Sequence, residues 1–138
     1  MICYFDSCSL VKRYIRETDS DRIARLLAES TPATARLSVV DIISALSRRC
    51  REGDLDLADR DAAIEALNQD MDRIFLIELT RVVGDIAGRL LTQHVLRAGD
   101  AVQLASCLHL QNRTSGRIRF VTHDSKLLEA AKAEGLQT

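Results

Sequence analysis

Four aspartates, Asp6, Asp41, Asp100 and Asp124, are the residues of this 138-residue sequence whose type and placement could do chemistry. Singly, each has an ordinary structural use. Asp6 and Asp124 stand where a helix N-cap would, Asp41 can complete a capping box with Ser38, and Asp100 suits the positive first turn of a helix. Jointly they are harder to absorb that way. Asp6 and Asp100 border strongly apolar stretches, where an unpaired carboxylate costs several kcal/mol or must be neutralised. A shared cation would neutralise all four. Carboxylates without histidine or cysteine among them suit a hard, oxygen-preferring ion, Mg2+ or Mn2+ rather than zinc. Such an ion can activate and orient water for attack on phosphorus.

The elements that must position these acids are read from periodicity. Ile2 to Phe5 is a short apolar run ending at Asp6-Ser7, a pair suited to starting a helix. Leu10, Val11, Tyr14 and Ile15 continue at helical spacing through Glu17, and a second helix begins near Asp19. Pro32 separates that helix from the next element. Ala35-Arg36-Leu37 is a weak strand candidate, followed by a helix carrying Val39, Ile42, Ile43, Leu46 and Cys50 and stopping near Gly53. On that helix Asp41 lies opposite the core stripe and faces a cleft. Another helix runs from about Leu57 to Met71. Ile74–Ile77 reads as a strand and Arg81–Leu96 as a helix. Ala101–Leu110, apolar almost all round, reads as a buried helix, followed by a strand at Ile118–Thr122 and a helix from Ser125 ended by Gly135. Alternation of this kind specifies an α/β domain whose central, mostly parallel sheet is flanked by helices, with ligands at the carboxyl edge of the strands.

Composition sets limits. The length suits one domain over residues 1–138. With 46% hydrophobic residues the chain can fill a core, and a net charge of −1 leaves any polyanion to be held by local patches. No apolar run is long enough to span a bilayer and no secretory leader is visible, so a cytoplasmic protein without membrane attachment is expected. Four scattered cysteines point to free thiols rather than a disulfide framework.

Four segments carry a more specific signal: Tyr4-Phe5-Asp6-Ser7-Cys8-Ser9-Leu10-Val11-Lys12, Leu37-Ser38-Val39-Val40-Asp41-Ile42-Ile43-Ser44-Ala45-Leu46, Leu96-Arg97-Ala98-Gly99-Asp100-Ala101-Val102-Gln103-Leu104-Ala105 and Phe120-Val121-Thr122-His123-Asp124-Ser125-Lys126-Leu127. In this order they resemble the signature blocks of PIN-domain ribonucleases, and most closely the VapC-type toxins of type II toxin–antitoxin systems. The resemblance implies a PIN-like three-layer sandwich that binds Mg2+ or Mn2+ and cleaves RNA, leaving a 5′-phosphate and a 3′-hydroxyl. It also implies a cognate antitoxin and a homodimer, for which helix surfaces around Val83 and Leu91 are candidates. Asp6, Asp41, Asp100 and Asp124 take the catalytic positions. Asp6 and Asp100 are the expected direct metal ligands, Asp124 completes the site directly or through water, and Ser7 and Thr122 support it. The family usually has glutamate where Asp41 stands, so this carboxylate is shorter by about 1.5 Å of reach and is expected to act through water. Cys8 replaces a usual serine.

Lys12, Arg13, Arg48 and Arg97 are the candidate cations for the RNA backbone. Aromatic residues make up 4% of the chain and tryptophan is absent, so base stacking cannot dominate recognition. His94, His109 and His123 form no cluster, and the His123 side chain should point away from that of Asp124. Two rival readings stand beside the nuclease: a catalytically silent PIN-like module that binds RNA or protein, and a receiver-type phosphoacceptor domain. The receiver type wants a second acid beside the first and a lysine after the last strand, whereas Asp6 has Phe5 and Ser7 as neighbours and no lysine falls at a strand end.

Overall fold

The first strand, β1 (Ile2–Phe5), is buried on both faces: Cys3 and Phe5 enter one hydrophobic cluster and Tyr4 the other. Strands covered on both sides read as continuous apolar runs, which is why this segment carries no charge. The computed structural model describes residues 1–138. It places β1 inside a four-stranded, wholly parallel sheet of order β3-β2-β1-β4, with β2 at Thr31–Ala35, β3 at Phe75–Ile77 and β4 at Ile118–Val121. Parallel neighbours require long crossovers. These are supplied by α1 (Ser7–Leu10) and α2 (Ser20–Glu29), then α3 (Arg36–Arg51) and α4 (Leu57–Asp70), then α5 (Arg81–Gln93) and α6 (Ala98–Asn112); α7 (Ser125–Ala133) follows β4.

Two cores result, one per face of the sheet. Tyr4, Ala33, Ala35, Ile77 and Phe120 pack under α5, α6 and α7, while Cys3, Phe5 and Val121 pack under residues of α1 to α4. Tyr4 lies beside Phe120 in register, their rings stacked with centroids 5.5 Å apart. The three-layer α/β sandwich expected from the alternation is therefore present. Leu104, on α6, has no exposed surface, and Leu104→Ala should cost about 2–5 kcal/mol through lost burial and the cavity left behind. Urea unfolding reads this as a lower midpoint with an unchanged slope.

Several local expectations are corrected. The second strand is Thr31–Ala35, not Ala35-Arg36-Leu37, and Pro32 lies inside it. The proline is tolerated because β2 has an open flank there. The Thr31 N–H donates to Met1 O of the β1 segment, so the next residue points the other way, and β3 begins to pair only at Ala33. Ser38 and Asp41 form no capping box, because α3 starts at Arg36 and both residues lie within it. The first helix stops at Leu10 and passes into a 3-10 turn at Val11–Arg13, so it does not continue through Glu17. Ile15, just beyond this turn, is still buried, in the cluster that holds Leu10 and Ile23. Val83 belongs to the core and offers no surface, whereas Leu91 is 41% exposed. No helix is long and apolar enough to cross a membrane.

Candidate active site

β1 and β4 are neighbours, while the chain leaving β1 crosses over to β2 on its other flank. A parallel sheet opens a crevice at such a switch point, outside the carboxyl ends of its strands. Asp6 and Asp124 both fall there, and the Asp6 N–H donates to Val121 O at 3.2 Å. Each acid also caps a helix. Asp6 Oδ1 accepts the Ser9 N–H and Asp124 Oδ1 the Leu127 N–H, both at 2.9 Å. Capping uses one oxygen of each carboxylate, so the structural and chemical uses of these acids are compatible.

Thr122 joins the pair. Its hydroxyl donates to Asp6 Oδ2 at 2.5 Å, and its oxygen accepts the Asp124 N–H at 3.1 Å. Asp41 projects from α3, with Oδ2 accepting the Ser7 hydroxyl at 2.7 Å. Asp100 occupies the first turn of α6.

The electrostatics show how these acids are arranged. Asp6 is 2% exposed, and burial raises its pKa against the lowering effect of the Thr122 and Ser9 hydrogen bonds. Asp100 is also raised, first by lost hydration and then by repulsion from Asp124 and Asp41, with Arg97 offsetting part of it. The Cys8 thiol is pushed up to about 11, by lost hydration first and then by all four carboxylates, Asp6, Asp124, Asp100 and Asp41. The side chains do not close into a ready-made cage of three or more ligands.

The donor chemistry suits a hard divalent cation. Carboxylate and hydroxyl oxygens face the crevice, and the neighbouring softer groups are engaged or protonated. His123 uses both ring nitrogens, Nδ1 with Ser9 Oγ at 2.8 Å and Nε2 with Asp19 Oδ2 at 2.7 Å. The raised pKa keeps Cys8 a thiol, the weaker ligand form.

The candidate cations divide into two groups. Lys12 pairs with Glu17 at 3.1 Å and Arg13 with Asp70 at 3.5 Å. Arg48 and Arg97 are exposed, and Arg97 acts electrostatically on Asp100.

Two residues of this region have little sequence signal. His123 bridges Ser9 and Asp19, and Asp19 has a left-handed backbone with φ 76°, which periodicity does not register. Gln103 is 2% exposed and bonds Tyr4, Ser7 and Ser38. Its only sequence mark is an amide in an otherwise apolar helical stretch.

No family model matches the chain. Ribonuclease VapC46 of Mycobacterium tuberculosis is 29% identical over 134 residues, covering 96% of this chain and 92% of that protein. Ribonuclease VapC45 of the same species is 33% identical over 115 residues, covering 78% and 75%. Among solved structures, VapC20 of Mycobacterium tuberculosis, described as a sarcin-ricin-loop-cleaving toxin, superposes with a TM-score of 0.68 at 16% identity, covering 97% of this chain and 95% of that one. A toxin–antitoxin complex from Klebsiella pneumoniae gives a TM-score of 0.70 at 13% identity, covering 99% and 96%. With its parallel sandwich, its acids gathered at one switch point and this level of identity to curated relatives, the chain belongs to the VapC ribonuclease family of PIN-domain proteins.

Proposed function

We propose that residues 1–138 act as one PIN-like domain that cleaves RNA with the help of Mg2+ or Mn2+, as the toxin of a toxin–antitoxin pair. The observation that carries this reading is the joining of Asp6 and Asp124 through the Thr122 hydroxyl at the carboxyl edge of the sheet, with Asp41 tied to Ser7 beside the buried Asp6. Asp6 and Asp100 would hold the ion, with Asp124 completing the set directly or through water. When bound, the ion offsets the mutual repulsion of the acids and lowers the pKa of a coordinated water. Thr122, by donating to Asp6, offsets part of the rise in its pKa that burial causes. Asp41, steadied by Ser7, aligns the attacking water, and its shorter side chain suits contact through solvent. In-line attack on phosphorus displaces the 3′-oxygen, leaving a 5′-phosphate and a 3′-hydroxyl.

Arg97 and Arg48 supply the positive charge for the RNA backbone. Arg97→Ala should therefore raise KM for RNA and reduce the slope of log binding affinity against log salt by about one. A change in kcat alone would remove Arg97 from substrate binding. A cognate antitoxin and a second copy of the chain are the proposed protein partners. For the homodimer, Leu91 is available on α5, whereas Val83 is not.

The deciding experiment incubates purified protein with cellular RNA in Mg2+ or Mn2+, against a chelator and against Asp6→Asn. Loss of cleavage in both controls supports the reading, and cleavage that survives both overturns it.

A further inference from the structure

We propose that Gln103 is a positioning residue: its side-chain amide commits the Ser7 hydroxyl as a donor to Asp41 and thereby fixes that carboxylate toward the crevice. Gln103 lies one helical turn after Asp100 on α6, so it follows the same face. Its amide reaches three other elements. Tyr4 OH donates to Oε1 at 2.7 Å, and Nε2 donates to Ser7 Oγ and to Ser38 Oγ, each at 2.9 Å.

The direction of every bond in this network is fixed by counting hydrogens. A hydroxyl has one hydrogen to give. Thr34 Oγ1 lies 2.6 Å from Phe5 O, a carbonyl that can only accept, so the Thr34 hydrogen goes there. Ser38 Oγ, 2.7 Å from Thr34 Oγ1, must then donate to it. With that hydrogen used, Ser38 can only accept from Gln103, which turns the NH2 end toward the two serines and Oε1 toward Tyr4. Ser7 also accepts from the NH2 group, so its own hydrogen is free for Asp41 Oδ2. A reversed amide would draw the Ser7 hydrogen to itself and leave Asp41 without a donor. The amide is nearly inaccessible, so water cannot replace it cheaply.

The inference rests on the reading of Asp41 as part of the catalytic set, and its test separates the two. Gln103→Met keeps the length of the side chain and removes the amide. Gln103→Met and Ser7→Ala should each lower kcat about 10- to 100-fold, the usual cost of losing an orienting partner, with KM for RNA changed less than twofold. Because both act through one bond, the double variant should be no more than twofold worse than the poorer single. Leu104→Ala destabilises the same helix without touching any bond of the amide, so it should lower the melting temperature while leaving kcat within about threefold. If Gln103→Met does not fold, Ser38→Ala, which removes the acceptor that turns the amide and so lets it reverse, replaces it in the same cycle with Ser7→Ala.

Losses that multiply in the double variant overturn the proposal, as does a kcat for Leu104→Ala as low as that of Gln103→Met. A crystal structure of Gln103→Met gives a readout independent of activity: the Ser7-to-Asp41 contact, 2.7 Å in the native chain, should be lost, and its retention overturns the proposal. This contact still reports on Gln103 if Asp6→Asn cleaves RNA as fast as the native protein, a result that would instead overturn the nuclease reading.

Discussion

Asp6→Asn and Asp100→Asn should each lower RNA cleavage by about 10³-fold, the scale expected when a charge that organises the reacting centre is deleted, and both should raise the melting temperature in chelator. The two effects have one cause. Asp6 is ionised at the expense of its burial, and Asp100 at the expense of lost hydration and the nearby charges of Asp124 and Asp41. Asparagine keeps the shape and one accepting oxygen, so the Ser9 N–H can still be capped, while the penalty of ionisation disappears. Natural sites often trade stability for activity in this way. Measuring cleavage and thermal unfolding on the same samples checks both, and a variant that is inactive and also less stable would contradict the account.

The second large effect is stabilisation by the ion, with a pH dependence of defined sign. A ligand present at 100 times its Kd adds about 2.7 kcal/mol, which for a domain of this size is roughly a 10 °C rise in Tm. Mn2+ should produce a shift of that order in the native protein, and chelator should reverse it. Asp6→Asn and Asp100→Asn should shift far less. For pH, the folded pKa of Asp100 lies above its ordinary 3.8. Between those two values the folded state holds more proton than the unfolded one, so this group's contribution to stability falls as pH rises from 3.8 through the raised value and is flat above it. Glu134 acts in the opposite direction: its pKa is lowered, first by Arg89 and also by His94, so its contribution is lost on acidification. Subtracting the pH–stability curve of Asp100→Asn from that of the native protein removes such background. That difference should become more negative as pH rises from the ordinary carboxylate range in chelator, and the fall should shrink when Mn2+ is added.

Much of the molecule was legible from periodicity because its central strands β1 and β4 are largely buried and because α1, α4, α5 and α7 are capped by the side chains of Asp6, Asp56, Thr80 and Asp124. The Ile2–Phe5 strand, the Leu57 helix and the Gly135 stop all obey local rules, and Gly135 has φ +83°, a value that favours glycine. The errors have a common origin. Pro32 reads as a separator unless it is known which flank of β2 lacks a partner, and that is fixed by where β3 begins to pair, a long-range fact. The Ser38–Asp41 capping box fails for the same reason, since the start of α3 is set by β2 ending at Ala35. Within the candidate site, acid types and spacing could be read from sequence. Gln103 and His123 could not, because their partners lie up to 99 and 114 residues away in the chain.

The pairing of β1 with β4 also bears on how the protein is made. The hydrogen bond from Thr122 to Asp6 spans 116 residues, and during translation at about 5–20 residues per second the first acid leaves the ribosome many seconds before its partner exists. Contacts so distant in sequence form late, after the entropy of closing a long loop has been met. On the proposed reading of the site, a nascent chain thus carries Asp6 without the neighbours it needs for cleavage, and the ribosome completes its product before that product can cut RNA.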